Sequence, residues 1–156
     1  METGKQLAAR FREVMLNGTW IANTNYTKAL SGISMEEACK KVDQLNSIAA
    51  LTFHVNYYVS GVLTVLKGGA LEIRDRYSFD LPPITSEEDW DRLRLELKVN
   101  AEHFAEEVEK LSEAHLNRGF IEEKYGSYRR NIEGLIEHAY YHLGQISIIR
   151  KLIETN

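Results

Sequence analysis

A single cysteine, Cys39, excludes an internal disulfide. Two prolines, adjacent at Pro82-Pro83, leave the rest of the chain free of the residue that most strongly breaks helices. No basic cluster occurs: the 19 Lys and Arg residues are scattered and the net charge is -4, so the electrostatic footprint of nucleic-acid binding is missing. Repeats and low-complexity segments are absent. No signal-peptide pattern opens the chain, and with one unpaired cysteine the expected location is the reducing cytoplasm. Two further absences are local. The 23 residues from Gln44 to Leu66 contain no Asp, Glu, Lys or Arg, and neither does the stretch from His138 to Ile149. The first has membrane-spanning length, but Gln44, Asn46, Ser47, His54 and Asn56 interrupt it, so a buried bundle helix is expected and no membrane span.

What is present is long apolar periodicity. At 156 residues the chain suits one domain over 1–156, large enough for a core that needs neither disulfide nor structural metal. The pattern predicts an all-α fold. A first helix near residues 4 to 17 puts Leu7, Phe11, Val14 and Met15 on one face and stops at Asn17-Gly18, before a loop with Trp20. A second is expected to begin at Ser34, where Ser34-Met35-Glu36-Glu37 has capping-box spacing, and to stop at Gly68-Gly69. Its core stripe is Ile48, Leu51, Val55, Val59, Val62 and Leu66. The third begins at Thr85 or Ser86 and buries Trp90, Leu93, Leu97, Phe104, Val108 and Leu111. The fourth follows Gly126-Ser127 and buries Ile132, Leu135, Ile136, Ala139, Leu143, Ile146 and Ile153.

The link from Lys67 to Thr85 is 19 residues long. Extended, it reaches ~60 Å, more than the ~47 Å of a helix of about 31 residues, so it can return along the whole bundle. Helices two and three are then parallel, and the shorter 117–127 link makes helices two and four antiparallel. That orientation brings His54 level with His138 and His142, whereas parallel packing separates them by roughly 12 Å.

His138 and His142 are four residues apart, a spacing that stacks two imidazoles on one helix face within reach of one metal ion. His142 projects beside the apolar stripe and His138 nearer its shoulder; His54 lies about 110° from the centre of its own stripe. His103 is equally far off stripe three, but its neighbours Glu102, Glu106 and Glu107 mark a solvated face, while His54 has Leu51 before it and Tyr58 one turn after it. Three imidazoles in charge-free surroundings point to a divalent ion with an open coordination position. Ala139 stands where a His-Glu-x-x-His metalloprotease has its general base, and no histidine has Glu three residues before it, as di-iron bundles require. Three neutral imidazoles suit Zn²⁺, with Ni²⁺ or Fe²⁺ as further candidates. The competing reading is three core histidines hydrogen-bonded to Tyr or Asn.

These residues carry a resemblance. Leu51-Thr52-Phe53-His54-Val55-Asn56-Tyr57-Tyr58, with His138-x-x-x-His142 and Leu143-Gly144-Gln145-Ile146, the long crossover with Gly68-Gly69, and the Asp89-Trp90 opening of helix three, resemble the DinB/YfiT-like superfamily over nearly the whole chain. The resemblance implies an up-down-down-up four-helix bundle, often homodimeric. It also implies a divalent metal held by His54, His138 and His142. Several relatives are metal-dependent S-transferases that activate a low-molecular-weight thiol.

Two functions follow as expectations. The first is a metalloenzyme activating a thiol or water, as a transferase or hydrolase, with Tyr58, Asn131 and Gln145 orienting substrate or ligand imidazoles and Trp20 at the pocket mouth. For Tyr58 plain packing is an equal reading, and for Trp20 a clamp over helix one is preferred. The second is a non-catalytic, dimeric module that binds a ligand or partner. It rests on the uncharged far face of helix two, with Phe53, Tyr57 and Thr64, which the crossover, the N-terminal loop or a second subunit has to cover. Tyr140 and Tyr141 pose the same question. Cys39 reads as an idle surface thiol and His115 as a charge near the end of helix three. Glu133, Glu137, Lys110 and Arg118 read as solvated, and Arg74, Asp75 and Arg76 as residues that keep the crossover soluble.

Overall fold

The computed structural model describes residues 1–155, and these are all-helical, with no strand among them. The helices are α1 (Gly4–Arg12, continued by a π-helical turn over Glu13–Asn17), α2 (Tyr26–Ala29), α3 (Met35–Cys39), α4 (Ile48–Leu66), α5 (Glu87–Glu109), α6 (Glu113–Leu116) and α7 (Tyr128–Glu154). Each begins behind a short polar residue whose side chain accepts a free backbone N–H of the first turn: Thr3, Asn25, Ser34, Ser47, Ser86, Ser112 and Ser127.

The helix expected from Ser34 to Gly68 is two helices. Ser34 and Glu37 do form the capping box, but α3 ends after five residues. Asp43 then takes a left-handed backbone with φ of 48°, and Ser47 caps a new start by accepting from the Ala50 N–H. The uncharged helix α4 is therefore 19 residues. It stops where expected: Gly68, at φ of 87°, donates to the Val65 carbonyl and Gly69 to that of Thr64, the paired bonds of a Schellman end. Although α4 is long and apolar enough to cross a membrane, two-thirds of it is buried inside this fold. Helix three also ends earlier than its stripe, at Glu109, and Leu111 packs on the core from outside it. His115 lies in the separate α6, its ring edge-on to Tyr128.

All four expected stripes are buried, except that Leu66 and Leu111 are half-buried. The segment between α1 and α3, which includes α2, adds Tyr26, Leu30 and Ile33 to the core. Tyr26 donates its buried hydroxyl to the Ala139 carbonyl, 2.8 Å, and Trp90 donates its indole N–H to the Ile33 carbonyl, 2.8 Å. End contacts relate the long helices. Arg129 donates to the Glu2 carbonyl and Tyr140 to the Glu13 carboxylate, so α1 runs beside α7 in register. Phe11 packs on Phe104, with ring centroids 4.4 Å apart, while Gly4 lies against the carbonyls of Val108 and Leu111. The Met35 N–H is bonded to Glu87 at the start of α5. Ile48, opening α4, and Ile153, near the end of α7, line one small cavity.

The crossover lies on the far face of α4. The Tyr57 hydroxyl bonds both the N–H and the carbonyl of Arg74, and Ile73 rests on Gly61, where a Cβ would come within 2.5 Å of it. The crossover thus covers part of that face, around Tyr57 and Gly61, while Thr64 stays exposed. Cys39 is half-buried against the core rather than at the surface, and burial together with Glu87 pushes its thiol pKa up. An inert thiol follows.

Candidate metal centre

His54 comes from the middle of α4, and His138 and His142 come from successive turns of α7. Nε2 of His138 stands 3.1 Å from Nε2 of His54 and 3.0 Å from Nε2 of His142. The ligand atoms of all three lie within 4.8 Å of one another, the only such three-residue group of His, Cys, Asp or Glu among the described residues. His54 and His142 are 7% and 6% exposed; His138 is half-buried.

The far nitrogens are tied to oxygens. Nδ1 of His54 donates to the Ser78 carbonyl, 3.2 Å, and Nδ1 of His142 donates to Oε1 of Gln145, 2.6 Å. A carbonyl oxygen can only accept, so both Nδ1 atoms carry the hydrogen and both neutral rings present bare Nε2 lone pairs to His138. Lone pairs about 3 Å apart repel unless a cation or proton lies among them. Burial lowers the pKa of all three imidazoles, reinforced at His54 by His142, and at His138, which falls to about 4, by His142 and then His54. Imidazolium is thus disfavoured at neutral pH, which leaves either the single N–H of neutral His138 or a metal ion among these lone pairs, and the arrangement is compatible with a metal ion. A tetrahedral site with M–N near 2.0–2.1 Å has its nitrogens roughly 3.3–3.4 Å apart, close to the two short separations. The donor set fits.

The crossover supplies what periodicity did not show. Phe79 stacks on the His54 ring at 4.0 Å with planes 13° apart, and Ser78 provides the carbonyl. Tyr58 stands edge-on to both His54 and His138, at 5.1 Å each, and donates its hydroxyl to Asp75, 2.9 Å. Asp75 therefore faces the site instead of only keeping the loop soluble.

Of the other sequence candidates, Gln145 touches a histidine. Asn131 does not: its amide donates to the carbonyls of Tyr125 and Ser127. It lines, with Tyr58, Asp75 and His138, a cavity of about 500 Å³ beside the triad. Trp20 is 85% exposed on a turn, neither clamped over α1 nor at the mouth of that cavity. His103 is exposed, and Glu137 pairs with Arg130 at the surface.

Neither the curated proteins nor the solved structures contain a match to this chain. A family model does match, that of the DinB superfamily, over residues 21–146, a span that takes in all three histidines and the whole crossover. The chain belongs to the DinB superfamily.

Proposed function

We propose that this protein is a divalent-metal-dependent enzyme of thiol or water activation, a transferase or hydrolase, with His54, His138 and His142 holding the metal. The observation that carries it is the tautomer argument: Ser78 and Gln145 fix two rings so that their lone pairs converge on a third. When bound, such an ion supplies positive charge that lowers the pKa of a thiol or water in its open position, so that a nucleophile exists at neutral pH. Zn²⁺ or Ni²⁺ suits three neutral imidazoles.

The chain's own residues do the rest. Ser78 and Gln145 orient ligand rings, as outer-shell hydrogen bonds do in metal sites generally. Phe79 lies over one face of His54 and keeps water from it. Tyr58, tied to Asp75, lines the adjoining cavity next to His138. The fold reading that belongs to this proposal is an up-down-down-up bundle of α1, α4, α5 and α7. The end contacts that pair α1 with α7 in register, and the start of α4 with the end of α7, support it. A homodimer belongs to it too: α7 leaves Tyr141, Ile148 and Leu152 exposed at i, i+7 and i+11 along one face.

The test is a panel of low-molecular-weight thiols with an electrophilic acceptor, on zinc- or nickel-loaded protein. Conjugate formation that disappears in His138→Ala supports the enzyme. Full metal occupancy without turnover on any thiol, and without hydrolysis of activated esters or amides, contradicts the activity and favours the module that binds a ligand or partner.

A further inference from the structure

We infer that the cavity beside the triad takes small molecules with an apolar body and a carboxylate, the acid held by Arg130 and Lys124. The inference rests on the metal-centre reading for where the reacting end of such a molecule lies.

At about 500 Å³ the cavity is of the size that encloses a small organic ligand. Much of its lining is apolar: Val62 of α4, Leu135 of α7, Leu71 of the crossover and Phe120 of the loop before α7. Two cations line it. Arg130 begins near the start of α7 but runs along the helix: its Nη1 passes 3.8 Å from where a Cβ on Gly134 would stand and reaches Glu137, 3.1 Å. Because residue 134 has no side chain, the guanidinium lies about one turn, ~6 Å of helix rise, before His138. Lys124 stands over the Tyr125 ring, its Nζ 4.8 Å from the centroid.

The carboxylates already paired with these cations do not compete strongly. Arg130 and Glu137 are each 62% exposed, and Lys124 and Glu122 are 62% and 58% exposed. Ion pairs this wet contribute little, and neither glutamate lines the cavity. A ligand carboxylate anchored by its own apolar body can replace them. The one carboxylate that does line the cavity, Asp75, accepts from the Tyr58 hydroxyl. The wall thus offers two cations with exchangeable partners against one anion, one of whose oxygens accepts from Tyr58. An acid is favoured over an amine, and the apolar lining favours either over a sugar-like polyol.

Calorimetric titration of phenylbutyrate, phenylbutanol and phenylbutylamine into zinc-loaded protein tests this, with each titration repeated on chelator-stripped protein. The expected result is phenylbutyrate binding about tenfold more tightly than phenylbutanol, as a charge-assisted hydrogen bond gives, and phenylbutylamine binding most weakly. In the Arg130→Ala, Lys124→Ala double variant phenylbutyrate falls to the level of phenylbutanol, which itself is unchanged. Both side chains are exposed, and a melting curve matching the parent shows that the variant folds. Equal binding of acid and alcohol, tighter binding of the amine, no binding of any probe, or an acid preference that survives the double variant would each overturn the inference. The preference for acid persists in stripped protein, so failure of the metal reading leaves it standing and separately measurable.

Discussion

Replacing Gln145 by Leu removes the side chain that holds the His142 imidazole at Nδ1. Gln145 Oε1 accepts from His142 Nδ1 at 2.6 Å, and the half-buried side chain adjoins Leu45 and Ile148 in a small apolar cavity, so Leu fits there. Without the acceptor the ring can flip or shift its hydrogen to Nε2, and the nitrogen it offers loses basicity. Packing limits the loss, because His142 still meets His138 at 4.4 Å and Tyr141 at 4.8 Å between ring centroids. Outer-shell losses of this kind cost about 10–100-fold in metal affinity, which is about 1.4–2.7 kcal/mol. Competition between the protein and a chromophoric zinc chelator at fixed pH reads the change directly. In Gln145→Glu a carboxylate takes the same hydrogen in a stronger, charge-assisted bond, so zinc is held as tightly as in the parent or more so. The reasoning fails if Gln145→Leu binds zinc as tightly as the parent, or if Leu and Glu weaken binding equally.

Three further outcomes follow from the fold. Gly61→Ala drives a Cβ into Ile73, with atoms at 2.5 to 2.9 Å, and lifts the crossover off α4; a loss of about 1–3 kcal/mol is expected in urea unfolding, and an unchanged midpoint would mean that the crossover does not rest there. Tyr26→Phe removes the buried bond to the Ala139 carbonyl, one turn from His142; it should cost about 1 kcal/mol, lowering Tm by roughly 2–4 °C. Metal-free protein should lose stability as pH falls. His138 titrates near 4 when folded against 6.5 in a free imidazole, so the unfolded chain takes up protons that the folded one refuses. This contribution is intact above about pH 6.5 and is lost as pH falls toward 4. Urea midpoints in a chelator at pH 7 and pH 5 should differ more for the parent than for His138→Gln, and an equal drop in both would contradict the assignment.

The histidine site was legible to the extent that helices made it. The four-residue spacing of His138 and His142 needs only α7, and the uncharged surroundings marked His54 as unlike His103. Burial of His54 was not legible, because projection set it far off its stripe and the cover comes from Ser78 and Phe79. Those residues sit in an extended segment whose placement depends on tertiary contacts such as Ile73 on Gly61. The same segment turned Asp75 from a solubilising residue into the partner of Tyr58. The break between α3 and α4 had a local signal that the capping box at Ser34 masked. Ser47 is a second cap, and Lys40-Lys41 with Asp43 gives the chain between them little apolar surface with which to continue a buried helix. Trp20 was misplaced because a large aromatic reads as core, whereas the turn over residues 19–23 carries it outward.

Three imidazoles from α4 and α7 are proposed to hold one ion. Elemental analysis of protein purified without an affinity tag, beside His54→Ala and His142→Ala, tests this most directly. The account predicts about one zinc or nickel per chain in the parent and almost none in either variant. A metal-free parent that takes up no zinc or nickel on addition, or metal retained after either substitution, would contradict it.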